Sequence, residues 1–375
     1  MNVEAAASLI NPSSAVTGQA INSETLALLP LPSPNIMFLL SLSTGTASEP
    51  TDVRASGRGN VDVNVNGQRT TNNSVTLEGI NVNDFNLAHF DTIPLPNPNT
   101  IREFKIATSL YDAASGTKGG GALGLVLKSG SKDFHFDLYW NHRNDALNAN
   151  EFFFNRTGAK RGRLLQNVFG GSASGPIPWA GGFWFFNYQG VRSRNGIDPA
   201  GASLRPIIPA FPTNPDGSTS AALLATAFAT STNTTRTPRT LTAANIDPIA
   251  VRILNLQSAL YGGQYFIPRL RQGGCDSVAV SGAFNCTFSG IIPGEGNQHT
   301  VTYDRSWRGG ADTLSGRWFW DNGSAAKPYG TAAGLAFPQA AIQNNRFISV
   351  THTHQFSPTM VNELRAGYSR FISSF

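Results

Sequence analysis

The sequence predicts a mainly β protein, in which a small α/β unit of short strands precedes an open series of about seven longer antiparallel strands. Three observations carry this. Only 14% of the 375 residues are charged, against about 25% in an ordinary soluble domain, while Gly (38) and Phe (24) are plentiful. The chain is therefore short of helix-favouring Glu and Lys and rich in strand and turn formers. Apolar residues recur at every second position in several segments, and the connections between those segments alternate long and short.

The clearest strand starts at Phe134. Phe134, Phe136, Leu138 and Trp140 share one face, and His135, Asp137, Tyr139 and Asn141 the other, because strand side chains alternate sides. Such a strand either lies on a soluble core with its polar side in water, or stands in a membrane barrel with lipid outside and a wet lumen inside. Further strands are expected near Gln166 to Ser174, Phe183 to Val191, His299 to Asp304, Thr313 to Trp320, Phe347 to His354 and Val361 to Phe371. The connection from Arg143 to Leu165 is long, Gly175 to Gly182 short, Arg192 to Gln298 very long, Arg305 to Asp312 short, Asp321 to Arg346 long and Gln355 to Met360 short. Transmembrane barrels sort their loops in this way, with tight turns at one end and large excursions at the other, and a soluble sandwich has no reason to. An odd, small number of strands leaves an edge that lipid does not tolerate, so the barrel is expected to be incomplete in this chain. Trp318 and Trp320 share a face near the end of their strand and, with Phe134, Phe136 and Trp140, are the candidates for an aromatic girdle. Within the longest excursion, Ile249, Arg252, Ile253 and Leu256 have helical spacing and suggest a small docking helix.

Before Phe134 the chain reads as short elements. Leu26 to Leu42 is an apolar cluster broken by Pro30, Pro32 and Pro34, with a short helix expected after Asn35. Arg54 to Gly59 is a flexible hinge. Val61, Val63 and Val65 alternate with Asp62, Asn64 and Asn66, and Asn66-Gly67 is a hairpin turn signal. A second strand, Ser74 to Leu77, is ended by Glu78-Gly79. Pro94, Pro96 and Pro98 force an extended link; Ile101 to Ala107 is a further short strand; Gly119-Gly-Gly121 leads into Ala122 to Lys128, and Ser129-Gly-Ser131 turns into the Phe134 strand.

Several functions are disfavoured. The net charge of +5 is scattered without a basic run, which argues against nucleic acid as a partner. No segment reaches the ~20 apolar residues of a membrane helix, and the start Met1-Asn-Val-Glu4 lacks the basic region of a signal peptide. Export therefore needs a signal outside this chain. Cys275 and Cys286 have ten residues between them and no CxxC partner, so a disulfide closing an exposed loop fits better than a zinc site, the alternative being two thiols. Gly119 to Gly124 matches GxGxxG, but the alternating Leu123 to Leu127 that follows favours a tight turn over a dinucleotide site. His352 and His354 share a strand face and read as lumen or interface residues rather than metal ligands. His135 and His142 lie on opposite faces. Asp84 and Asp91 flank a polar loop without a defined role. No Ser-His-acid set or GxSxG elbow is present, so no catalytic residue, cofactor or metal is assigned.

Taken in order, the motifs resemble TonB-dependent outer-membrane receptors, specifically the Oar-like group. Ile21 to Leu31 is similar to the start of their plug domain, Val65-Asn-Gly-Gln-Arg69 with Val75-Thr-Leu-Glu-Gly-Ile80 to the plug core, and Ile101 to Ile106 with Gly119 to Lys128 to its end. Arg143 to Asn148, Phe169 to Ser172, Gly175-Pro-Ile177, Tyr303-Asp304 and Val361-Asn-Glu-Leu-Arg365 resemble barrel signatures. The resemblance implies a lead-in and start of plug over 1–50, the plug over 51–130, and the first part of a barrel over 131–375, with an extracellular loop at about 192–298. It also implies a complete barrel of about 22 strands, located in the bacterial outer membrane, whose plug is moved by a TonB-type energy-coupling protein to admit a substrate. Pro32-Ser-Pro34 stands where the family has Asn-Gly-Arg, and no TonB box is recognisable. A plug is held to a polar lumen by hydrogen bonds and ion pairs, which makes Arg102, Glu103, Arg143, Arg317 and Arg365 the expected plug–barrel or lumen residues. The alternative is a secreted or surface β-rich binding or adhesion protein without transport.

Overall fold

The computed structural model describes residues 17–22, 36, 43–50, 61–83, 95–109, 118–150, 152–157, 161, 163–179, 181–196, 212–228, 242–258, 264–265, 291–327 and 339–374. Two sheets organise them. The first is built from β1 (Thr17–Asn22), β4 (Ser74–Leu77), β5 (Ile80–Asn81), β6 (Ile101–Ser109) and β7 (Ala122–Leu127), in the order β1-β6-β7-β4-β5. β4 and β7 run parallel and the other pairs antiparallel. Beside it lies the pair β2 (Thr46–Pro50) and β3 (Val61–Val65).

Alternation explains why these strands form. Leu123, Leu125 and Leu127 of β7 are buried, as are Val63 and Val65 of β3 and Phe104 and Ile106 of β6. Asn66-Gly67, a hairpin signal in the sequence, turns the chain without pairing the strands on its two sides. Both turn residues are left-handed, with φ 49° and 73°, yet β3 pairs backward with β2, and a 3-10 turn at Thr70–Asn72 carries the chain into the other sheet. The hairpin that does form joins β4 to β5 through Glu78-Gly79, with φ 52° and 75°, the geometry of a type I′ turn. Gly119-Gly-Gly121 leads into a strand. At Gly120 a Cβ would stand 2.6 Å from the Asn72 carbonyl oxygen, so glycine is needed for close backbone approach there.

The second sheet is the wall. Its seven strands are β8 (His135–Asn144), β9 (Leu164–Ile177), β10 (Gly182–Gly196), β13 (Ile291–Trp307), β14 (Asp312–Lys327), β15 (Gln339–Ser357) and β16 (Met360–Ser374), each antiparallel to its sheet neighbours, in the order β16-β15-β14-β13-β10-β9-β8. All seven expected strands are present, most of them longer than the apolar alternation suggested, because their outer ends are polar. The sheet does not close on itself, and β8 and β16 are its edges. Short turns join β9 to β10, β13 to β14 and β15 to β16, as expected; the chain between β10 and β13 includes the small pair β11 (Gln257–Ser258) and β12 (Gln264–Tyr265) and the helices Ala221–Phe228 and Pro248–Asn255. Asp247 caps the latter, its Oδ1 accepting from Ile249 N at 2.8 Å. The apolar side of that helix is exposed at Ile249, Ile253 and Leu256 rather than docked.

The two faces of the wall differ. Phe136 is 84% exposed, and Leu138, Ile348, Val350, Leu364 and Tyr368 on the same outward face are also exposed. On the inner face Asn187, Thr300, Phe319 and Phe347 are buried. The core shows what covers them: Phe319 and Phe347 belong to the same apolar cluster as Ile21, Val75, Phe104 and Leu125. The small sheet thus rests on the inner face of the wall, and one core serves both.

Candidate functional site

The site is the contact between the small sheet and the wall, and its polar part begins at the β4–β5 turn. Glu78 sits first in that turn, where Asn or Asp is the usual choice and a left-handed Glu is unusual. Its Oε1 accepts from Leu127 N at 2.6 Å, and Glu78 N donates to Leu125 O at 2.9 Å. Facing it from β14 is Arg317, whose side chain is only 6% exposed; Nε lies 3.5 Å from Glu78 Oε1, and Nη2 donates to Asp304 Oδ1 on β13 at 2.9 Å. Asp304 also accepts from Ser315 Oγ at 2.7 Å and, through Oδ2, from Ser129 Oγ at 2.5 Å. One wall carboxylate thus holds both the buried guanidinium and the segment leaving the small sheet.

Neutral hydrogen bonds extend the contact. Thr302 Oγ1 donates to Lys128 O at 2.9 Å, Gln298 Nε2 to Leu95 O at 3.1 Å, and Asn97 Nδ2 to Asn187 Oδ1 at 2.8 Å. Asn97 and Asn187 are both buried, so each amide needs the other. Burial holds the Lys128 ammonium below its ordinary value, and Asp137 opposes this. At Gly130 a Cβ would stand 2.3 Å from the Trp184 carbonyl oxygen, which fixes how closely the connecting segment crosses β10. At the other edge the Arg365 guanidinium packs over Gly79, and Ile80 packs against Gly367.

The residues expected from sequence therefore separate. Arg317 is central and Arg365 lies on the turn, where its Nη2 also donates to Glu363 at 2.7 Å. Arg143 is half-buried on β8, in register with Gln166. Arg102 and Glu103 are exposed on β6 and make no ion pair with the wall among the described residues, because Ile101 and Phe104 take the inward positions of that strand. Phe136, Trp140, Trp318 and Trp320 lie on the outward face by register, and Phe134 packs over Gly175 on that face. Both His352 and His354 bond to Asp312. Asp84, Asp91, Cys275 and Cys286 lie outside the described residues. Glu78, Asp304 and Ser129 were missed as partners. The signal for Glu78 was a glutamate in an Xaa-Gly turn, and Asp304 was visible only as the acid of the Tyr303-Asp304 motif.

A polar inner face that holds a small domain, an exposed apolar outer face, and loops sorted by length together define an outer-membrane β-barrel protein with an internal plug. The family model described as "Outer membrane beta barrel domain" matches residues 126–375, and the chain belongs to that family. The fold is similar to the outer membrane transporter YddB from Escherichia coli, at 10% identity and a TM-score of 0.58, over 94% of this chain and 38% of that one. It is also similar to a variant of the ferric enterobactin receptor PfeA from Pseudomonas aeruginosa, at 11% identity and a TM-score of 0.52, over 95% of this chain and 40% of that one. The chain thus spans about two fifths of the length of each. No curated protein matches the sequence. The fold expected from the resemblance to TonB-dependent receptors is present, and the protein is placed in the outer membrane.

Proposed function

We propose that this chain forms the plug and the first seven wall strands of a receptor for energy-coupled uptake of a substrate through a plugged barrel, within the Oar-like group. Residues 1–50 are the lead-in and start of the plug, 51–130 the plug, and 131–375 the first part of the barrel, with the extracellular loop at about 192–298. The observation that carries this reading is the shared core: Phe319 and Phe347 of the wall complete the apolar cluster of the small sheet. A soluble sheet does not present one face to an enclosed domain and an apolar face to its surroundings. The partners that follow are outer-membrane lipid, a TonB-type energy-coupling protein and a substrate taken up through the lumen. Arg317, Arg365 and Arg143 act at the plug–barrel contact or in the lumen.

Fractionation of cells making the full-length gene product should recover it with the outer membrane, and recovery in the soluble fraction would overturn the reading. Energy coupling is read with labelled iron chelates, cobalamin, oligosaccharides and peptides as probes: uptake of the one transported should stop when a protonophore collapses the inner-membrane gradient. Uptake that continues unchanged argues for passive diffusion. The outward face has its own test. Ile348→Arg, in the exposed apolar part of that face, should lower the stability of the inserted protein by about 2–4 kcal/mol, the cost of an arginine against the bilayer interior. In water the same exposed substitution would be nearly neutral, so urea titration in lipid vesicles separates the two environments.

A further inference from the structure

At its short-turn end the outward face of the wall carries a cluster that the plug contact does not use. A row of rings runs along it. Trp307 stacks on His352 at 5.8 Å, His352 on His354 at 6.5 Å, and Phe356 meets His354 edge-on at 4.3 Å. Beside them stands Asp312, its side chain only 5% exposed, at 2.6 Å from His354 Nδ1, 3.2 Å from His352 Nε2 and 3.4 Å from Arg308 Nη1. Among the described residues no group of His, Cys, Asp and Glu is arranged to hold a metal ion. The two imidazoles instead satisfy a carboxylate that would otherwise be costly at the edge of a lipid-facing surface.

With Asp312 satisfied, two guanidinium groups remain directed outward. Arg305 stands 5.7 Å from the centre of the Trp307 ring and over Gly181 of the β9–β10 turn. It is exposed and makes no ion pair among the described residues. Arg308 forms the tip of the β13–β14 turn with φ 52°, although Gly309 and Gly310 follow it. A bulky residue in the left-handed region beside two glycines marks a position where the side chain is wanted and the backbone strain is tolerated. Directly above the cluster the outward face turns apolar, at Val350, Ile348 and Leu364.

We propose that Arg305, Arg308 and Trp307 bind the phosphodiester headgroup of a membrane phospholipid whose acyl chains cover the apolar face above them. The forked guanidinium donors match a phosphate diester. Tryptophan belongs at the level where acyl chains meet headgroups. The Asp312–histidine cage holds Arg308 at that level and leaves Arg305 free of a competing carboxylate. Continuity with the apolar face selects a lipid over a free anion, and short turns place the site in the periplasmic leaflet. This inference needs only the outer-membrane location and stands whether or not the protein transports anything.

Native mass spectrometry of the detergent-solubilised full-length gene product tests it, with phosphatidylglycerol and diacylglycerol of the same acyl chains as probes. The wild type should retain phosphatidylglycerol and release diacylglycerol, and Arg305→Ala with Arg308→Ala should lower the retained fraction about tenfold. Arg346→Ala, an exposed cation on the same face in register with Trp320, should leave it unchanged. Equal retention by the double variant, equal retention of diacylglycerol, or displacement by millimolar inorganic phosphate would each overturn the proposal. Should the double variant fail to fold, the two lipids compared on the wild type still decide it.

Discussion

Replacing Phe319 by Ala should destabilise the folded protein by about 3–5 kcal/mol, the range for truncating a fully buried aromatic ring. Phe319 is 0% exposed and lies in the core of the small sheet although it belongs to the wall. The cavity therefore opens between the two, and neither sheet can close it by moving within itself. Limited proteolysis of the plug should accelerate before the wall loses strand signal. Trp318→Ala, one residue away on the outward face, removes a larger ring from a half-open position and should cost clearly less, since no enclosed cavity results. If the two variants unfold at the same denaturant concentration, the plug does not share its core with the wall.

Asp304→Ala should cost about 3 kcal/mol, at the low end of the range for breaking a buried ion pair, because Glu78 remains 3.5 Å from the stranded Arg317. The loss comes from leaving a buried guanidinium short of a partner and from freeing Ser129. Removing both charges, Asp304→Ala with Arg317→Met, should therefore cost less than Asp304→Ala alone. A pair this enclosed is also poorly screened, so raising the salt concentration should change wild-type stability little. Full additivity in the double-mutant cycle, or a strong salt effect, would show the pair to be solvated and would remove Asp304 as the anchor.

How far the sequence could be read differs between the wall and the plug. Phe134 to Asn141 announced both faces of its strand because one face meets lipid and the other does not, and that contrast is written in every second residue. Loop lengths added the sorting of the two ends. The plug strands carried the same alternation, but period two says which residues are inward and not which strand is the neighbour. Asn66-Gly67 thus turns the chain, but the strands on its two sides pair elsewhere. On β6 the apolar Ile101 and Phe104 take the inward positions, so Arg102 and Glu103 remain exposed beside the seven described wall strands.

The sequence by itself determined the class of fold, the seven wall strands of this chain and their outward face, because each is a local property of pattern or composition. Only the tertiary structure decided who meets Arg317. Glu78 and Asp304, and the Ser129 that donates to Asp304, come from three distant parts of the chain. Their meeting depends on strand register and on how the small sheet seats against the wall, and side-chain alternation along one strand carries no record of either.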